Sequence, residues 1–194
     1  FTARSNVKSA YLYICGLGSS IAFINGKRVG NDVFGSLPTW YPVSEDYLVY
    51  DVSKMVGKGE NAIGVELGNG RFSGPRMARE MYRGVPRLIA QLRIQYADGT
   101  SETILTDESW MATDKGPITS NNEFDGENYD ARLDLGNWSS AGYVCGDVWK
   151  KADVLDSPGG VLRQQNSPAI KVQDEVNPVK VYGTGDGRVI VDMG

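Results

Sequence analysis

The stretch Ser20-Ile-Ala-Phe-Ile-Asn-Gly26 decides how the rest of the chain is read. Its β-branched and aromatic side chains favour a pleated, half-buried strand. Asn25-Gly26 then supplies the residue types that tolerate positive φ at the two centre positions of a tight hairpin turn. Outward from this point the same grammar recurs. Val7 to Cys15, Tyr47 to Val52, Ala62 to Leu67, Arg87 to Tyr96 and Ser101 to Thr106 are short apolar or alternating runs bounded by Gly, Asn, Asp and Pro. Asp98-Gly99 predicts a second two-residue hairpin. Helix signals are confined to Pro75 to Arg83, where Ser73 or Gly74 can cap, Pro75 suits the first turn and Gly84 can end the element. Many short strands and one short helix predict an all-β fold, a jelly-roll-like antiparallel β-sandwich.

With 194 residues the chain has material for one sizeable core, or for one domain and part of another. The composition shifts at Asp156-Ser-Pro-Gly-Gly160, which reads as a linker. Residues 1–155 are therefore expected to form the sandwich, and 156–194 a linker with the first strands of a truncated next module. The strand-like runs there, Pro168 to Gln173, Pro178 to Tyr182 and Arg188 to Asp192, are too few for a core of their own. They either complete the first sandwich or open a second. The start at Phe1 and the stop at Val191-Asp-Met-Gly194 read as cuts from a longer chain.

Composition removes several functions. A net charge of −4 gives no long-range attraction to nucleic acid, and no apolar run approaches the roughly 20 residues of a membrane span. There is no histidine, hence no Ser-His or Cys-His nucleophile pair and no His ligand for zinc. Of the two cysteines, Cys15 ends an apolar run and reads as a buried free thiol, although pairing with Cys145 stays open.

Three segments can carry contacts. Gly68-Asn-Gly-Arg-Phe-Ser-Gly74 lets backbone approach a ligand, with Asn69 offering both donor and acceptor to a hydroxyl and Arg71 beside it. Residues 71–87 carry Arg71, Arg76, Arg79, Arg83 and Arg87 against Glu80, whereas 121–135 carry Glu123, Asp125, Glu127, Asp130 and Asp134 against Arg132. Arg forks match carboxylates, so the two segments are expected either to meet, for instance through Arg79 and Asp130, or to remain solvated loops. The acidic segment is also rich in oxygen ligands of the kind calcium takes, with Asp125, Glu127 and Asp130 as metal candidates, but lacks EF-hand spacing. Trp40, between Pro38 and Pro42, can stack on a sugar ring; Trp110, Trp138 and Trp149 read as packing anchors. The carbohydrate-contact candidates are thus Trp40, Asn69, Arg71, Glu127 and Tyr129.

In order along the chain, Ala22-Phe-Ile-Asn-Gly-Lys-Arg-Val-Gly30, Val49-Tyr-Asp-Val52, Gly59-Glu-Asn-Ala-Ile-Gly64, Leu67-Gly-Asn-Gly70, Tyr96-Ala-Asp-Gly99, Thr106-Asp-Glu-Ser-Trp110, Gly126-Glu-Asn-Tyr-Asp-Ala-Arg132 and Gly136-Asn-Trp138 resemble the N-terminal accessory module of the bacterial α-L-rhamnosidase family, glycoside hydrolase family 78. Gln165-Asn-Ser-Pro-Ala-Ile-Lys-Val172 and Val191-Asp-Met-Gly194 resemble the opening of the β-sandwich module next in line in those enzymes. The resemblance implies a galactose-binding-like sandwich in a secreted or periplasmic parent that removes terminal α-L-rhamnose with inversion. The acids would lie on a downstream (α/α)6 barrel, so this piece would not be an enzyme itself. It would pack on that barrel and contact rhamnosylated glycans. The alternatives are an autonomous calcium-dependent L-rhamnose-binding module and a free-standing carboxylate glycosidase using Asp125, Glu127 or Asp130. Against the family pattern, the early loop Leu17-Gly-Ser-Ser20 has no acid, the aromatic pair after Leu-Gly-Asn-Gly is Arg71-Phe72, and the Trp-Thr-Asp-Tyr run reads Pro38-Thr-Trp-Tyr-Pro42. These departures favour the interface role.

Overall fold

A computed structural model describes residues 1–4, 6–73, 84–122 and 124–194. In chain order the strands are β1 (Thr2–Ala3), β2 (Val7–Leu17), β3 (Ser19–Ile24), β4 (Lys27–Arg28), β5 (Ser44–Asp51), β6 (Gly59–Glu60), β7 (Ile63–Gly68), β8 (Arg87–Tyr96) and β9 (Ser101–Leu105). Next come β10 (Met111–Ala112), β11 (Ile118–Asn122), β12 (Gly126–Tyr129), β13 (Lys150–Lys151), β14 (Val161–Gln164), β15 (Lys180–Gly183) and β16 (Val189–Asp192). The fold is all-β; among the described residues its helical content is one 3-10 turn, Ala131–Leu133. The helix expected over 75–83 lies outside the described residues.

Two sheets make the sandwich: a five-stranded one in the order β14-β5-β2-β8-β9 and a three-stranded one in the order β4-β3-β7. Period-two alternation sets which side chains meet between them. Ala10, Leu12 and Ile14 of β2, Ala90, Leu92, Ile94 and Tyr96 of β8, and Ala22 and Ile24 of β3 are buried in one cluster, onto which Leu48, Tyr50, Ile63 and Val65 pack. Burying a Leu or Ile of this kind contributes roughly 1.5–3 kcal/mol, which is why the two sheets stay face to face.

The odd-numbered residues of β2 and β5 point the other way, and part of that outer face is also covered. Cys15, Leu17, Tyr41 and Phe72 form a second buried cluster with Tyr47 against it. The loops over 36–43 and 71–73 thus fold back onto the outside of the larger sheet. On the outside of the smaller sheet, Phe23 meets Trp138 edge-on at 5.5 Å, and Trp149 lies 6.4 Å from Trp138 and 5.9 Å from Tyr143. Gly64 makes room for this stack: a Cβ there would fall 2.5 Å from Trp138 Cζ3. Trp138 and Trp149 are anchors, as expected, but of an outer aromatic layer rather than of the main core.

The Asn25-Gly26 hairpin forms as expected, with φ of 51° and 76° at its two residues. The Asp98-Gly99 turn differs. Gly99 alone of that pair has positive φ, 85°, while Tyr96 N–H donates to Thr100 O and Gly99 N–H to Tyr96 O. This is a longer loop, because the Asp98 carboxylate accepts from both the backbone N–H and the hydroxyl of Thr100 and so organises the chain as an Asx turn.

Two further differences concern the tail. Val161–Gln164, expected to lie in a linker, pairs in parallel with β5, Val161 opposite Ser44 and Gln164 opposite Tyr47. Pro168 to Gln173, expected as a strand, forms one isolated bridge, Asp32 to Lys171; Pro168 has no N–H to give a ladder. β15 and β16 pair with each other, Val181 opposite Val191. Both cysteines are free, and no helix among the described residues is long and apolar enough to cross a membrane.

Candidate functional site

The candidate residues gather along one rim of the sandwich, and the glycine-rich loop is its centre. A Cβ on Gly18 would lie 2.2 Å from Gly68 O, and one on Gly70 would lie 2.5 Å from the Gly18 carbonyl carbon. The glycines therefore let two turns of backbone stack on each other. Asn69 is committed in the same way: its backbone N–H donates to Asn121 Oδ1 at 2.8 Å, and its Nδ2 donates to Asn121 O at 2.7 Å. Its own carbonyl accepts from Phe72 and Ser73 N–H. Phe72 then meets Tyr41 edge-on at 5.2 Å.

The candidates follow one another through these contacts. Trp40, 52% exposed, sits next to buried Tyr41, so adjacent rings of one loop point outward and inward. Arg71 is exposed beside Phe72. On the other side of Asn69, Asn121 pairs across the β11–β12 hairpin with Glu127, and Tyr129, two residues on, is 61% exposed. Residues two apart on a strand share a face, so Glu127 and Tyr129 present together.

The acids differ in their commitments. Asp125 Oδ2 accepts from Asn122 Nδ2 at 3.0 Å. Asp130 caps the 3-10 turn and holds Arg132, with Nη2 at 2.6 Å and Nε at 2.8 Å, which keeps its carboxyl below the usual range. Glu66 on β7 is pushed the other way, first by burial and then by the nearby Glu127 charge, with Arg28 opposing. Among the described residues no three of His, Cys, Asp and Glu are grouped to hold a metal.

The acidic segment is joined to the glycine-rich loop through the amides of Asn69 and Asn121, ahead of the basic stretch 71–87, most of which lies outside the described residues. Arg76, Arg79 and Arg83 lie outside the described residues, as does Glu123. Arg87 donates from Nη1 to Asp156 O at 2.8 Å. The residue that sequence reading missed is Asn121; nothing in Thr119-Ser-Asn-Asn122 distinguishes the anchor from its polar neighbours. It also missed Glu45, a carboxylate buried to 5% exposure.

Fold and rim together define a largely antiparallel β-sandwich module with exposed aromatic and carboxylate groups at its rim. The chain belongs to the family of alpha-L-rhamnosidase N-terminal domains, whose model matches residues 5–174. It is 36% identical to an alpha-L-rhamnosidase of Formosa agariphila, over 98% of this chain and 21% of that protein. Among solved structures, the alpha-L-rhamnosidase from Dictyoglumus thermophilum superposes with a TM-score of 0.89 at 37% identity, over all of this chain and 21% of its own. The Streptomyces avermitilis alpha-L-rhamnosidase complexed with L-rhamnose superposes with a TM-score of 0.91 at 32% identity, over all of this chain and 19% of its own. The chain thus spans about a fifth of the length of these relatives.

Proposed function

We propose that this chain is a non-catalytic accessory module of an α-L-rhamnosidase-like glycoside hydrolase, packing on downstream modules of the same polypeptide. The observation that carries this reading is the family match over residues 5–174, coupled with full-length relatives that are about five times longer. The commitments of Asn69 to Asn121 and of Asp130 to Arg132 support it, since these groups already serve the rim itself. In this reading the parent cleaves terminal α-L-rhamnose with acids on an (α/α)6 barrel, works outside the cytoplasm, and uses the rim at Trp40, Arg71, Glu127 and Tyr129 against that barrel and the glycan in it. The sandwich is jelly-roll-like, and residues 156–194 lead into the next β-sandwich module.

The alternative is autonomous, calcium-dependent binding of L-rhamnose at the same rim, favoured by the exposure of Trp40 and Tyr129. Isothermal titration of the chain with L-rhamnose, with and without calcium, separates the two. No saturable heat is expected; saturation at about millimolar sugar, a Kd worth about −4 kcal/mol, would establish a carbohydrate-binding module instead. With an aryl rhamnoside no turnover is expected. Turnover that disappears in Glu127→Gln would make the chain an enzyme in its own right.

A further inference from the structure

Asp156-Ser-Pro-Gly-Gly160 has the composition of a flexible linker, yet the chain from 156 to 171 is tied to the sandwich at short intervals. Arg87 Nη1 holds Asp156 O at 2.8 Å. Val161 N–H donates to Val43 O at 3.1 Å and Gln165 N–H to Tyr47 O at 3.0 Å, at either end of β14. Gln165 Oε1 accepts from Leu37 N–H at 3.0 Å, Ile170 O from Val33 N–H at 2.8 Å, and Lys171 bridges to Asp32. Beyond Lys171 the chain changes character: residues 172–194 are exposed throughout, and β15 and β16 pair with each other.

The fastening point is at Gly160. A Cβ there would lie 2.3 Å from Tyr41 O and 2.9 Å from Glu45 Cγ, so backbone contact admits no other residue without displacing the chain. Leu48 and Tyr50 of β5 face the core, so Glu45 lies on the outer face, beneath this crossing. It is 5% exposed, and its Oε1 has no hydrogen-bond partner. Gly160 packs directly on this side chain, and its backbone N–H and the Arg87 charge both act against the cost of burying the carboxylate. An isolated buried carboxylate is costly unless it is bonded and faced by a cation. Glu45 therefore makes sense as a group packed under the crossing against Gly160, with the Arg87 charge favouring its carboxylate.

We propose that residues 156–171 form a strap, clasped by Glu45 and Gly160 and anchored by Arg87, that carries the chain across the rim and fixes where it leaves the sandwich at Lys171. The polypeptide beyond Lys171 then turns about 172–178 rather than about the Ser-Pro-Gly-Gly segment. This goes beyond the accessory role and does not depend on it, since each contact lies within this chain.

Amide hydrogen exchange on the 194-residue chain tests it. In the wild type, Val161, Gln165 and Val33 N–H should be protected, while the amides of 172–178 exchange freely. Glu45→Ala should speed exchange at Val161 and Gln165 by roughly tenfold through local opening, with Leu12 and Leu92 amides unchanged. Glu45→Gln, which keeps the size and polarity of the group packed against Gly160, should keep most of the protection. Free exchange of Val161 and Gln165 in the wild type, or unchanged protection in Glu45→Ala, would overturn the proposal. If Glu45→Ala also exposed Leu12 and Leu92, Glu45 would be a general fold determinant and the clasp assignment would fail.

Discussion

Removing the Asn25 side chain should be costly. Its Oδ1 accepts Ala62 N–H at 2.8 Å, and its Nδ2 donates to Met55 O at 3.0 Å and to Asn61 Oδ1 at 2.8 Å. Asn61, 4% exposed, in turn holds Gly57 and Gly59 carbonyls and the Gly57 N–H. Asn25→Ala leaves the Ala62 N–H and Met55 carbonyl without partners, at about 1–3 kcal/mol for an orphaned buried group. Its φ of 51° adds about 1 kcal/mol for a residue with a Cβ and no local bond to compensate. These bonds are only partly buried, so the low end applies to each of the two orphaned groups; with the φ cost the loss is about 3 kcal/mol, a Tm lower by roughly 6–12 °C for a domain of this size. Asn25→Gly removes the same bonds but not the φ preference, and should fall short of the alanine variant by about 1 kcal/mol. Thermal unfolding followed by circular dichroism reads both. An alanine variant within about 2 °C of wild type would refute the hydrogen-bond reasoning, and a glycine variant as unstable as the alanine one would refute the φ component.

Burial pushes the Cys15 thiol up to about 12, with Glu45 and Asp46 adding to it, so at pH 8 only about one molecule in ten thousand carries its thiolate. Native protein treated with a disulfide reagent should show one fast thiol, Cys145, and both only in denaturant; two fast thiols would contradict the burial of Cys15. Gly64→Ala should cost about 1–3 kcal/mol by overpacking and alter the near-ultraviolet dichroism of the tryptophans, because the new methyl meets Trp138. An unchanged spectrum would mean that the stack does not rest on Gly64.

Strand periodicity made the sandwich readable in the residues alone. β8 shows this plainly: its alternation from Ala90 to Tyr96 is the burial pattern itself. Local chemistry also placed the Asn25-Gly26 turn. What could not be read was anything set by distant backbone. Gly18 and Gly70 look like permissive loop residues, and only the stacking of their turns explains them. The Asx bond from Thr100 decided the Asp98 turn against the hairpin its dipeptide suggests. β14 was invisible because Val161–Gln164 is short and comes after linker-like residues, and its partner lies far back in the sequence. Of the rim, the residue types at Trp40, Asn69 and Glu127 were legible, but not that Asn69 would be spent on Asn121.

The parallel partner of Ser44–Tyr47 is made more than a hundred residues later in synthesis. At about 5–20 residues per second that interval is roughly 6–20 s, far longer than a hairpin needs to close. Throughout it the outer margin of β5 has unanswered peptide groups while β2 already occupies its other side. A nascent chain in this state offers neighbouring copies a template for intermolecular pairing. Slow translation through 52–160 should therefore favour aggregation in the cell even though the finished protein covers this margin over Ser44–Tyr47.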